Sequence, residues 1–313
     1  MGDIKFSVII PHYNIPELLE RLLFTAPYDK EDAEIIVVDD RSDKNLEKLL
    51  EVKHRFGNMG VKFYRNNHGK KGAGTCRNIG MRHAAGKWLI FADADDRFKP
   101  GIYDILKRYE ANDADIIFFK TESINEEGDR VQGRDAGYCK KTDDYRANPG
   151  RRNELLLRYD MPVPWGKMYR KEMIDKYRIF FPDMIVSEDA VFNCKCGHYA
   201  GKVEALVEVL YEVTEREGSL SSDFSTYKFR LQVTAFAQIC RYIKQNESKE
   251  DWELLGFNGN LKMIEAYKRF GPAWMFYVFF VFAFNGVEPV SFKGMSIKTA
   301  PETLKRILED RGK

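Results

Sequence analysis

No stretch of this sequence is apolar for long enough to cross a bilayer. The aromatic-rich run "AWMFYVFFVFAF" at 273–284 has 12 residues, against about 20 for a spanning helix. A buried helix is its default reading; an interfacial helix or a dimer contact is the alternative. No signal peptide is expected either, because the apolar run in "MGDIKFSVIIPHYN" is too short and no cleavage-like segment follows. Cysteine pairs at metal or redox spacing are also absent. Cys76, Cys139, Cys194, Cys196 and Cys240 form an odd set without C-x-x-C, as expected of free thiols in a reducing compartment. Neither sign of charge prevails, with 50 basic against 48 acidic residues. Nothing global therefore argues for a nucleic-acid partner. Internal repeats and low-complexity tracts are lacking. The expectation is a cytoplasmic protein, peripheral at the inner membrane face if the aromatic run is interfacial.

What is present is a core-forming chain of 313 residues, 44% of them hydrophobic, enough for one large domain with an appendage or for two modest domains. Short β-branched or aromatic runs at 6–10, 34–38, 61–65, 88–92 and 115–119 read as buried strands. Helical patterns lie between them, at 16–24 and 46–56. This alternation predicts an α/β sheet covered by helices. Residues 125–148, rich in Gly, Asp, Asn and charge, read as a surface excursion. Past Tyr211 the pattern turns to helices at 227–245, 252–269, 272–284 and 301–308. A boundary near Glu215–Gly218 divides the chain into residues 1–215 and a helical extension, 216–313.

In such sheets ligands bind beyond the carboxyl ends of the strands. There the sequence places "PHYN" (11–14), "DDRSD" (39–43), "NNHGKKGAGTCRN" (66–78) and "DADD" (93–96). The inventory of an aromatic ring, carboxylates, Gly-rich backbone and cations suits a nucleotide diphosphate held with Mg²⁺ or Mn²⁺. Two common nucleotide motifs fail. Gly72-Ala73-Gly74 is followed by Arg77 where a dinucleotide fingerprint needs Gly, and Thr75 stands where a phosphate loop needs Lys.

Five segments in order, "FSVIIPHYN", "EIIVVDDRSDKN", "GAGTCRNIGMRHAAGKWLIFADADD", "PWGKMYRKEM" and "SEDAVF", resemble the family 2 glycosyltransferases over about residues 5–211. The resemblance implies a GT-A fold with a Rossmann-like, mostly parallel sheet. It also implies a nucleotide-sugar donor (a UDP-sugar), a divalent cation, Mn²⁺ or Mg²⁺, and inverting transfer of a hexosyl or N-acetylhexosaminyl group. The acceptor would be a saccharide or lipid-linked saccharide of bacterial surface polysaccharide assembly. Arg41 and Ala94 stand where the family often has Gly and Ser. The alternative is a non-catalytic nucleotide-sugar-binding or partner-binding protein on the same fold. A nucleotidyltransferase would carry a Gly-rich basic loop after the first strand, and "PHYNIPEL" is not one.

The resemblance assigns Asp95 as metal ligand and Asp93 to the ribose or the metal's water shell, with Asp96 either a further ligand or an anchor of the loop. Asp40 would read the uracil edge, Tyr13 would pack on the base, and Pro11 would offer its carbonyl. Arg77 is either a donor contact or an ion-pair partner of Asp40. Lys70 and Lys71 are either a solvated pair or diphosphate contacts. Asp189 is the expected base, with Glu188 aimed at acceptor or donor sugar; simple capping by Ser187 competes with that reading. Trp165 is an acceptor wall or core, and Lys167 a diphosphate or structural contact. The five histidines show no metal spacing.

Overall fold

The expected alternation forms one face-to-face stack of strands and helices. Strands β1 (Phe6–His12), β2 (Ala33–Asp39), β3 (Lys62–Arg65) and β4 (Trp88–Phe91) run parallel in the order β3-β2-β1-β4. The β-branched and aromatic residues of β1, β2 and β4 are buried on both faces, which is why they read as continuous apolar runs. Strand β3, expected to be buried too, is an edge strand with Lys62 and Arg65 exposed and Phe63 and Tyr64 half-buried. The helices between them are α1 (Pro16–Leu23), α2 (Leu46–Gly57) and α3 (Ala73–His83). The computed structural model describes residues 3–28, 30–67, 69–216 and 225–290.

Beyond β4 come β5 (Arg97–Phe98), α4 (Ile102–Arg108), β6 (Ile116–Ile124), α5 (Asp135–Ala147), α6 (Arg151–Tyr159), β7 (Lys167–Arg170), α7 (Lys171–Lys176), α8 (Glu188–Tyr199) and β8 (Val203–Thr214). The completed 8-stranded sheet has the order β3-β2-β1-β4-β7-β6-β8-β5. Only β7 and β5 run against their neighbours, so the sheet is mostly parallel, as expected.

Two further local expectations differ from the structure, and one strand lay outside the expectations. Residues 125–148 are not all surface excursion, because α5 packs Tyr138 and Thr142, one turn apart, into the interior. Its charged remainder hid that stripe. Residues 203–214 form β8, which pairs along β6. The expected helix at 252–269 is two, α10 (Lys249–Leu255) and α11 (Asn260–Phe270), separated where Gly256 takes φ +65°. The helix expected at 301–308 lies outside the described residues.

By contact, the chain divides into two compact units, Met1–Ile239 and Cys240–Lys313, with α9 (Thr226–Asn246) running across the division. In the second unit α11 is followed by α12 (Pro272–Phe284), and only Val278 and Phe282 of α12 are fully buried. Phe276, Phe280 and Phe284 are exposed. The default reading of 273–284 as a buried helix is therefore corrected. An aromatic run without polar residues carries no periodic signal of which face is inside.

Candidate active site

Parallel register brings the expected segments to one edge. His12 lies beside Asp39 and Asp39 beside Arg65, so the residues that follow each strand emerge together. The adjacent carboxylates of β2 part company there, as side chains on a strand must. Asp39 is buried and accepts from His12 Nδ1 (3.1 Å), Ser42 Oγ (2.6 Å) and Ser42 N (3.2 Å). Burial alone would raise its carboxyl, but the His12 and Ser42 hydrogen bonds bring it down to about 2. The Ile15 N–H donates to His12 Nε2 at 3.3 Å, which leaves the proton on Nδ1 for Asp39. Asp40 accepts from Asn66 Nδ2 and from Gly72 N, both at 2.7 Å. It therefore clasps the loop between β3 and α3.

Around this clasp, Tyr13 is 45% exposed and carries Lys71 Nζ 4.5 Å from its ring centre. Pro11 lies in β1 opposite Val38. Lys70 pairs at 3.0 Å with Asp183, both well exposed. Arg41 has φ +62°, a left-handed conformation that glycine adopts without cost. That accounts physically for the glycine common at this position in the resembling family.

Arg77 is not the partner of Asp40; that reading is corrected. Its guanidinium is 2% exposed and reaches Asp93 Oδ1 and Asp189 Oδ1, each at 2.6 Å, with Glu188 at 3.9 Å. One buried cation thus bridges the loop after β4 and the start of α8. Burial pushes the Asp189 carboxyl up to about 7, opposed by Arg77 and aided by Glu188 and Asp93. Burial likewise raises Glu188. Ser187 makes no side-chain cap and sits at φ +64°, so simple capping does not explain this helix start. Strained backbone of this kind is held only where surrounding packing dictates it. Here Phe181 and Phe192 stack at 3.9 Å with planes 6° apart, and both meet Phe91 of β4 edge-on. Such pairs are worth about 0.5–1.5 kcal/mol each. Gly74 lets α3 approach, because a Cβ there would lie 2.8 Å from Glu188 Cγ.

The "DADD" carboxylates have separate surroundings. Asp96 is buried and accepts from Tyr211 Oη and Thr214 N, both at 2.7 Å. Burial, then Asp93 and Asp95, raise it well above the usual carboxylate range. With a donor on each oxygen, Asp96 anchors the loop. Tyr211 Oη also accepts the Asp93 N–H at 2.8 Å. Asp95 pairs one oxygen with Arg216 at 3.0 Å, and its backbone carbonyl accepts from Arg21 Nη2 at 2.5 Å. Burial and Asp93 raise the Asp95 carboxyl against Arg216. Among the described residues, Asp93 and Asp95 each keep one oxygen without a protein partner. No group of three His, Cys, Asp or Glu closes into a metal cage there. That donor set fits an ion such as Mg²⁺ or Mn²⁺, which takes one or two carboxylates and is completed by phosphates and water.

Trp165 and Lys167 resolve toward structure. Trp165 is 3% exposed and stacks on Tyr211 (5.8 Å, 14°) beside Tyr138, so it is core beneath the Asp96 loop. Lys167 is buried, and its Nζ donates to Met161 O (2.7 Å), Val163 O (2.8 Å) and Asn193 Oδ1 (2.8 Å). Burial pulls it down to about 7, yet three acceptors match the three protons of the ammonium. Asn193 also donates to the Asp189 carbonyl at 2.8 Å, so this network props up the first turn of α8. Tyr211, Arg216 and Asn193 were not singled out from sequence. Tyr211 meets Asp96 across 115 residues, and no local pattern signals such a contact.

Comparison with known proteins follows the same outline. The model of the family described as Glycosyl transferase family 2 matches residues 7–178. The poly(ribitol-phosphate) beta-N-acetylglucosaminyltransferase TarS of Staphylococcus aureus (strain Mu50) is 27% identical over 220 residues, 68% of this chain and 36% of the relative. The poly(ribitol-phosphate) beta-glucosyltransferase of Bacillus spizizenii is 29% identical over 225 residues, 68% of this chain and 33% of the relative. The chain thus spans about a third of the length of these curated relatives. In fold it is similar to S. aureus TarS 1–349 in complex with UDP-GlcNAc, with TM-score 0.65, 21% identity and coverage of 85% and 73%. It is also similar to the mannosyltransferase PcManGT of Pyrobaculum calidifontis in complex with GDP-Man and Mn²⁺, with TM-score 0.58, 15% identity and coverage of 98% and 81%. The sheet is of the GT-A type, with a helical C-terminal part. With the family model matched over residues 7–178 of 313, the chain belongs to glycosyl transferase family 2.

Proposed function

We propose that residues 1–215 form the catalytic unit of an inverting glycosyltransferase. It would transfer a hexosyl or N-acetylhexosaminyl group from a UDP-sugar to a hydroxyl of a surface polymer. The observation that carries this reading is the Arg77 bridge, which sets Asp189 against Asp93 and the Asp95 loop. A binding module has no use for a half-buried carboxylate raised toward neutral pH at this edge of the sheet. In this reading Asp189 takes the proton of the attacking acceptor hydroxyl, and a pKa near the working pH suits that task. Glu188 lies beside it, toward the sugar. Tyr13, the Pro11 carbonyl and Asp40 hold the uracil, while Asp95 and Asp93 hold a divalent cation against the diphosphate. When bound, that ion neutralises charge building on the departing nucleotide. Arg77 keeps the base and the donor loop in register.

Relatives named for poly(ribitol-phosphate) support an acceptor that is a saccharide or polyol-phosphate chain. No described helix is long and apolar enough to cross a membrane. The exposed aromatics of α12 suit a peripheral contact at the inner face, or a dimer contact. The test is UDP release from a panel of UDP-sugars, with Mn²⁺ or with EDTA. Release from one donor, lost with EDTA, supports the reading. UDP-sugar binding without any release, with or without acceptor polymers, supports a non-catalytic binding protein instead.

A further inference from the structure

Helix α3 has two working faces. One carries Gly74 and Arg77 toward the carboxylates. The other carries Thr75, Arg82 and His83, at helical spacing, toward a separate cavity of about 520 Å³ at the β3 edge of the sheet. Tyr64 of β3 stacks on His83 there, with ring centres 3.8 Å apart and planes 12° apart. Arg65 and Arg82 line the same cavity with Asn67 and Thr75, and none of its described lining residues is acidic. Neither guanidinium has a hydrogen-bond or ion-pair partner among the described residues. On the same short strand, Lys62 is committed to Glu34 at 2.6 Å. Two exposed guanidinium groups without a described partner, around a cavity whose described lining holds no carboxylate, make it a locally positive site in a chain of balanced charge.

We propose that this cavity binds an organic phosphate. Arg65 and Arg82 take the phosphate oxygens, for which the guanidinium fork is shaped. The polyol or sugar part lies against the Tyr64–His83 stack, with Asn67 and Thr75 as hydrogen-bonding partners. The volume is in the range of small-molecule sites. The ligand has two sources, a free sugar or polyol phosphate and a phosphate repeat in the acceptor chain; only the second rests on the transferase reading above.

Calorimetry with inorganic phosphate, ribitol 5-phosphate and ribitol tests it. Both phosphates should bind the full chain and compete, and ribitol should not. The double variant Arg65→Gln/Arg82→Gln should lose at least tenfold in ribitol 5-phosphate affinity and keep its UDP affinity. Unaltered phosphate binding in the variant, or a matching loss of UDP binding, overturns the assignment. A tenfold rise in KM for a poly(ribitol phosphate) acceptor at constant kcat identifies the acceptor as the source. Unaltered KM with phosphate binding lost identifies the free phosphate. A chain that binds ribitol 5-phosphate yet releases no UDP sinks the transferase reading and leaves the cavity standing. One that transfers sugar but binds neither phosphate does the reverse.

Discussion

Replacing Arg77 by Met keeps an unbranched apolar stem and removes the cation that Asp93, Asp189 and Glu188 share. Arg77 is 2% exposed and its two short contacts are 2.6 Å, whereas the Asp93 and Asp189 side chains are 31% and 30% exposed, so water offsets part of the loss. Removing one member of a fully buried ion pair costs about 3–5 kcal/mol, because the remaining charge is left uncompensated, and that range is the upper limit for these half-buried acids. At roughly 2–4 °C per kcal/mol for a unit of this size, the melting temperature at pH 8 should fall by up to about 6–20 °C. The loss should depend on pH. Asp189 is already raised to about 7 with Arg77 present, and Glu188 is raised too; without Arg77 both rise further. A carboxyl with a raised folded pKa binds more protons in the folded state than in the unfolded one, so stability grows as pH falls through that pKa. Each such group regains about 1.4 kcal/mol per pH unit while it titrates. The parent's Asp189, titrating at about 7, gains in the same way below that pH, so the gap between variant and parent should narrow by about 1 kcal/mol between pH 8 and pH 7 and little further by pH 5.5. Thermal melts of both proteins at pH 8, 7 and 5.5 read this directly. A variant that melts within 2 °C of the parent at pH 8, with no narrowing at pH 5.5, would show that Arg77 is not the counter-ion.

Other perturbations separate the parts of the site. Asp95→Asn should weaken UDP binding in Mn²⁺ and turnover together, whereas Asp189→Asn should keep UDP affinity and lose about 10²–10⁴ in rate, the usual worth of a general base; parent-rate transfer by Asp189→Asn would move the base to Glu188. Tyr211→Phe leaves a buried Asp96 oxygen and the Asp93 N–H without their partner, at about 1–3 kcal/mol for each group. Its melt should drop and its UDP affinity should fall with it, and an unaltered UDP titration would show that Asp96 does not hold the donor loop. Phe280→Asp/Phe284→Asp alters two exposed rings, so the melt should stay put while co-flotation with anionic liposomes is lost. A parent chain that never floats removes the membrane contact and leaves the dimer to be tested by sedimentation.

Much of the site was legible because parallel strands joined by helices send all their carboxyl ends to one edge, whatever the loops contain. From that rule alone "PHYN", "DDRSD", the Gly-rich loop and "DADD" gather together, and the strands that carry them announce themselves as short apolar runs. Asp39 and Asp40 diverge for an equally local reason, the alternation of side chains along a strand. What pattern could not assign is which polar group meets which. Arg77 reaches Asp189 across 112 residues and Tyr211 reaches Asp96 across 115, and a cation on a helix has no sequence signal that selects Asp93 over Asp40. Those choices were made by packing. Phe91, Phe181 and Phe192 press α8 against β4, Gly74 admits Glu188 beside α3, and Trp165 supports Tyr211 under the loop. The interior is dense enough that these contacts permit one arrangement of the charges, and only the tertiary structure contains it.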